Sequence, residues 1–185
     1  MHTENLIPRT TCPKTMARRL TTARAARLLP LLLLLALPAA AQAQFAYTTS
    51  DGTITITGYT GPGGAVTIPS TINGLAVTRI GEAAFDGCTS LTGITIPNGV
   101  TSIAYGAFDG CDNLASVTIP NSVTIIGEAA FWECASLSTV AIPNSVTSIG
   151  TNAFEDCIGL ASVTVGNSVT SLGYRCSGAV RASGA

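Results

Sequence analysis

Histidine and lysine are nearly absent from this chain, with one of each, His2 and Lys14, both close to the N-terminus. Beyond residue 43 neither type occurs, and the only cations are Arg79, Arg175 and Arg181. The commonest general base is therefore missing from that part, along with Ser-His and Cys-His nucleophile pairs and Schiff-base lysines. Nine carboxylates face those three arginines after residue 43, a net charge of −6 that the near-neutral total of the whole chain conceals. Such a surface offers no electrostatic footprint for nucleic acid or for anionic lipid. Phosphate-binding loops are missing too. Gly61-Pro62-Gly63-Gly64 reads as a turn before a strand and not as a cradle opening a helix. An enzyme is not expected, and neither is a cofactor.

Only one long apolar run exists, and it sits at the start. Arg18, Arg19, Arg24 and Arg27 form a positive region, Leu28 to Leu37 a ten-residue apolar core, and Ala41-Gln42-Ala43 a small-x-small cleavage pattern. A membrane-spanning helix needs about 20 apolar residues, so the expectation is a secretory signal cleaved after Ala43, with a retained anchor as the alternative. Met16 stands directly before the arginines, so either Met1 or Met16 can be the start, and residues 1–15 then read as an upstream extension.

The rest of the chain is dominated by one period. Phe85, Phe108, Phe131 and Phe154 are 23 residues apart, as are Cys88, Cys111, Cys134 and Cys157, and Leu91, Leu114, Leu137 and Leu160. Asn98, Asn121, Asn144 and Asn167 keep the same step, as do Val100, Val123, Val146 and Val169. A repeat of this length cannot bury its own apolar face, so the units must stack into a solenoid whose equivalent residues form ladders. Within one unit, Leu91, Ile94 and Ile96 fit a short strand that Pro97 ends, because proline has no N–H for the ladder. Asn98-Gly99, or Asn-Ser in later units, then turns the chain, and Val100 and Ile103 return to the interior. Glu82-Ala83-Ala84-Phe85 suits one helical or 3₁₀ turn. Gly81, Gly127 and Gly150 are placed at sharp bends or left-handed backbone angles.

The expected fold class is an α/β solenoid: a right-handed superhelix with a parallel sheet of short strands along one side and helical or 3₁₀ turns. The boundaries are signal and extension over 1–43, a β cap with a degenerate first repeat over 44–79, repeats over 80–173, and a small-residue tail over 174–185. In the cap, Thr53 to Thr57 alternate as a strand, Val66-Thr67-Ile68-Pro69 resembles a repeat strand, and Asn73-Gly74-Leu75-Ala76 belongs to a longer loop. The pattern breaks in the tail, where Ser177 and Val180 stand in place of the Phe and Cys that the period demands. Either the last strand is left open, an aggregation hazard, or the natural gene continues.

The motif G-x-x-A-F-x-x-C-x-x-L-x-x-V-T-I-P-N-S-V-T-S-I resembles the BspA-type leucine-rich repeat of bacterial secreted and cell-surface proteins, over roughly residues 66–173. The segment from Phe45 to Thr78 is similar to the N-terminal cap of such proteins. The resemblance implies a non-catalytic protein-binding or adhesion module, with matrix or cell-surface proteins as the partner class. A structural spacer within a larger envelope protein is the rival reading.

Three sets of residues merit weighing as sites. The cysteine ladder reads first as buried thiols and second as an inter-rung disulfide, since stacked rungs fall within disulfide reach. A line of thiols cannot converge tetrahedrally on zinc, so no metal is expected. Cys176 is off register and is the expected reactive thiol. Asp86, Asp109 and Glu155 share one repeat position, and Glu82 and Glu128 another; both read as solvated faces and not as a calcium site. The candidate binding face is the outward side of the strands, with Thr92, Thr95, Ser116, Thr118, Ser138, Thr139, Ser162 and Thr164. These residues are small and neutral, without the Trp, Tyr or Arg anchors of tight interfaces. Trp132 and Tyr105 belong to the turn side instead.

Overall fold

The computed structural model describes residues 44–175, so the signal segment, Cys176 and residues 176–185 lie outside it. Phe45–Ser50 (β1) and Thr53–Tyr59 (β2) form an antiparallel hairpin across Asp51 and Gly52, both with positive φ. Gly64–Thr67 (β3), Thr71–Ile72 (β4) and Leu75–Ile80 (β5) follow. Then come four pairs, one longer strand and one two-residue strand each: Leu91–Thr95 (β6) with Ser102–Ile103 (β7), and Ser116–Thr118 (β8) with Ile125–Ile126 (β9). Thr139–Ile142 (β10) pairs off with Ser148–Ile149 (β11), and Ser162–Val165 (β12) with Ser171–Leu172 (β13).

The chain winds through two sheets. The five-stranded sheet runs β12-β10-β8-β6-β3 and is parallel throughout. The eight-stranded sheet runs β1-β2-β5-β7-β9-β11-β13, parallel along that path from β2 onward, with β4 attached antiparallel to β5. The second sheet corrects the expectation of a sheet along one side only. Its strands from β7 on are two residues long, too short to leave a period-two signature, and the register comes from Ile80, Ile103, Ile126 and Ile149 stacking in line.

Helical turns are also corrected. Among the described residues there is no helix, and the architecture is an all-β solenoid and not α/β. At each Ala-Phe segment the backbone is tied to the next rung. Ala83, Phe85 and Gly87 donate N–H groups to the carbonyls of Tyr105, Ala107 and Asp109, and Gly106, Phe108 and Gly110 do the same one rung on. With alternate N–H groups committed outward, the i→i−4 pattern of a helix cannot form. Left-handed φ values at Ala83, Gly106, Ala129 and Asn152, between 52° and 58°, close tight turns instead.

Two further expectations change. Asn73-Gly74 is a two-residue hairpin turn between β4 and β5, both residues having positive φ as a type I′ turn requires, and not part of a long loop. Gly127 and Gly150 do not adopt positive φ; they allow close backbone approach. A Cβ at Gly127 would lie 2.7 Å from the Ala104 carbonyl carbon, and one at Gly150 would lie 2.3 Å from the Glu128 nitrogen.

The core fills the space between the sheets. Phe85, Phe108, Phe131 and Phe154 stack with centroids 4.9, 5.0 and 5.2 Å apart, and their planes become nearly parallel toward the C-terminal rungs. At the N-terminal end Tyr59 stacks on Phe85 at 5.4 Å and Phe45 meets it edge-on at 6.4 Å, so the hairpin closes the Phe column.

Candidate functional site: the outward face of the five-stranded sheet

Parallel in-register pairing turns the repeat into columns. Ala65, Gly93, Ser116, Thr139 and Ser162 are paired in succession across all five strands. Two residues further along each strand, Thr67, Thr95 and Thr118 are paired, and so are Ala141 and Thr164. With strands about 4.8 Å apart and alternate residues nearly 7 Å apart, the face is a flat lattice of hydroxyls and methyls. Inward residues between the columns, Ile94, Val140 and Val163, are buried and hold the lattice flat on the core.

The structure therefore brings six of the eight expected face residues into this lattice: Thr95, Ser116, Thr118, Thr139, Ser162 and Thr164, all exposed. Thr92 and Ser138 form a flanking row, also exposed, in which Ala115 N–H donates to the Thr92 carbonyl and Ala161 N–H to that of Ser138. Gly93 is the exception to outward exposure, being covered by the neighbouring Ser116.

The cysteine ladder lies inside. Cys88, Cys111, Cys134 and Cys157 are buried thiols. The thiols of Cys111, Cys134 and Cys157 donate to the carbonyls of Phe85, Phe108 and Phe131, at 3.1, 3.2 and 3.0 Å. Each thiol thus satisfies a buried carbonyl in the preceding rung, a role valine could not fill. Hydrogen bonding with Cys157 and burial raise the Cys134 thiol well above its ordinary pKa, so it stays protonated. Among the described residues no three His, Cys, Asp or Glu side chains converge on a metal-sized site.

A threonine ladder went unread in the sequence. Each of Thr101, Thr124, Thr147 and Thr170 donates both its N–H, at 2.9 Å, and its hydroxyl, at 3.1 to 3.2 Å, to the carbonyl of the threonine 23 residues earlier. The Thr that follows each Asn-Gly-Val or Asn-Ser-Val was its signal. On the turn side Trp132 is half-buried and its Nε1 donates to Asp156 at 3.3 Å, while Arg175 pairs with Glu155 at 3.1 Å and lies over the Tyr174 ring. Glu82 and Glu128 are exposed and Asp86, Asp109 and Glu155 half-exposed.

Comparison with known proteins bears on the same segment. The family model for the BspA type leucine rich repeat region matches residues 65–177 in six copies. No curated protein matches. Among solved structures, a leucine-rich repeat protein of T. pallidum is 38% identical with a TM-score of 0.69, over 71% of this chain and 62% of that one. A leucine-rich repeat protein from Bacteroides capillosus is 35% identical with a TM-score of 0.58, over 65% of this chain and 92% of that one. A protein from Faecalibacterium prausnitzii, described as a leucine rich cell surface protein, is 32% identical with a TM-score of 0.56, over 71% of this chain and 44% of that one. The chain thus spans less than two thirds of the treponemal and faecalibacterial proteins. With its period, its stacked Phe, Cys and Leu columns and these matches, the chain belongs to the BspA-type leucine-rich repeat family.

Proposed function

We propose that this protein is an exported, non-catalytic binding module that holds protein partners on the outward face of its five-stranded sheet. The supporting observation is the lattice itself: two registered columns of small neutral side chains, flat and solvent-facing, on a stacked core. Leucine-rich repeats are typically protein-interaction modules. The description of the faecalibacterial relative as a cell surface protein favours an extracellular partner for this chain as well. The Arg-rich, Leu-rich, Ala-x-Ala start supports export. A face without aromatic or arginine anchors binds weakly per copy and gains strength through display in many copies.

The test is binding of the purified protein to a panel of immobilised extracellular matrix and cell-surface proteins. Saturable binding that survives moderate salt is expected, because the face carries no charge to be screened. A folded sample that binds nothing on the panel points to a spacer of an envelope protein.

A further inference from the structure

We infer that Cys134 and Cys157 form a peroxide-reactive thiol pair, in which Cys157 is oxidised first and Cys134 then closes an inter-rung disulfide. The two cysteines occupy the same repeat position on adjacent rungs. Those rungs are tied together on both sides of them. Glu133 N–H donates to the Glu155 carbonyl at 3.0 Å, and Gly159 N–H to the Ala135 carbonyl at 3.0 Å. Pairing of this kind sets the rungs about 4.8 Å apart, inside the Cα separation of about 4.4–6.8 Å that a disulfide spans. The two thiols are also hydrogen-bonded to each other, so their sulfurs are already in contact.

The two sulfurs differ in the way such a pair requires. The hydrogen bond from Cys134 holds Cys157 below its ordinary pKa, against the opposing effects of burial and of Asp156. The same hydrogen bond, with burial, keeps Cys134 protonated. The thiolate is the nucleophile, so Cys157 attacks and Cys134 is the resolving partner. A small oxidant has a short path to them. The residue after each ladder cysteine, Thr89, Asp112, Ala135 or Ile158, is exposed or half-exposed, which leaves the whole ladder one residue beneath the surface.

The oxidant is hydrogen peroxide. The Cys157 thiolate attacks one peroxide oxygen; an S–O bond forms, the O–O bond breaks, and the departing hydroxide takes up the proton the thiol released, giving water. Cys157 is then a sulfenic acid and no longer carries the charge that held the Cys134 proton. The Cys134 sulfur attacks the Cys157 sulfur; the S–S bond forms, the S–O bond breaks, and hydroxide leaves with the Cys134 proton as a second water. In sum the peroxide is reduced to water and the two thiols are oxidised to one disulfide. The Phe108 and Phe131 carbonyls lose their thiol donors in the process. They keep the N–H groups of Cys111 and Cys134, at 3.3 and 3.4 Å, so the crosslink leaves neither carbonyl unpaired.

The test is peptide mapping of the purified protein carrying Cys176→Ser, which removes the off-register thiol, after treatment with hydrogen peroxide and alkylation of the remaining thiols. Cleavage after Glu133 and Glu155 puts the two cysteines on different peptides. The expected product is those two peptides joined by a disulfide, with Cys88 and Cys111 still reduced. The bond closes a loop one 23-residue repeat long, so the melting temperature should rise by roughly 5–10 °C and fall back in dithiothreitol. Cys134→Ser should stop the reaction at a sulfenic acid on Cys157 that dimedone traps, and Cys157→Ser should slow thiol loss at least about tenfold. The mapping leaves the ladder unaltered, so it decides the matter whether or not the serine variants fold. Four thiols that survive peroxide, a Cys111–Cys134 linkage, or Cys157 oxidised without a linkage would each overturn the proposal.

Discussion

Alanine at positive φ is an uncommon choice, since a left-handed residue with a Cβ costs about 1–2 kcal/mol relative to the right-handed region. This chain makes that choice at Ala83 and Ala129, in a column where Gly106 and Asn152 meet the same demand more cheaply. Ala83 is exposed, so removing its methyl forfeits no packing. Ala83→Gly is therefore expected to stabilise the protein by about 0.5–1 kcal/mol, after allowance for the extra freedom glycine gives the unfolded chain, as read by urea denaturation. At the same scale, Cys88, Cys111 and Cys134 should resist a thiol reagent in the native protein at neutral pH and react fully once it is unfolded. The raised pKa of Cys134 keeps its sulfur as the unreactive thiol, and burial denies access to Cys88 and Cys111, whereas the hydrogen bond from Cys134 lowers the pKa of Cys157 and makes it the first of the ladder to react. Fast native labelling at Cys88, Cys111 or Cys134 would show that the ladder is open.

At the scale of elements, stability resides in columns and not in any one strand. Phe108 has a ring above and a ring below, at 4.9 and 5.0 Å, and is fully buried. Phe108→Ala should cost about 3–5 kcal/mol by urea melt, and a cost under about 1 kcal/mol would contradict the stacking. These columns were legible in the sequence because a 23-residue step repeats Phe, Cys and Leu without a gap. Element type at the Ala-Phe turns was not. Glu-Ala-Ala-Phe has good helix propensity, but its alternate N–H groups bond to the next rung, a tertiary demand that no local pattern announces. The second sheet was hidden for a similar reason, its strands being two residues long and defined only by their neighbours. Asn73-Gly74 was a readable hairpin signal.

For the whole molecule, stacking converts a sequence repeat into a surface repeat. The face residues were legible as outward positions because strands alternate, and Thr95, Ser116, Thr118, Thr139, Ser162 and Thr164 occupy the lattice so expected. What the sequence could not convey is that Leu172 is exposed and Val169 only partly buried where their equivalents in earlier rungs are buried, because exposure depends on tertiary surroundings and not on residue type. No helix among the described residues is long and apolar enough to cross a membrane.

The central claim is that the five-stranded sheet's face does the binding, and a paired substitution on the two sheets tests it most directly. Thr118 stands in the middle of that face, and Ile125 is exposed on the other sheet. With a partner from the binding panel, the affinity of Thr118→Arg and of Ile125→Arg would be measured by surface plasmon resonance against the unaltered protein, with circular dichroism verifying both folds. The account predicts a loss of about tenfold or more for Thr118→Arg, because a long charged side chain holds a flat partner off the lattice, and little change for Ile125→Arg. The reverse order, or two unchanged affinities, would contradict it.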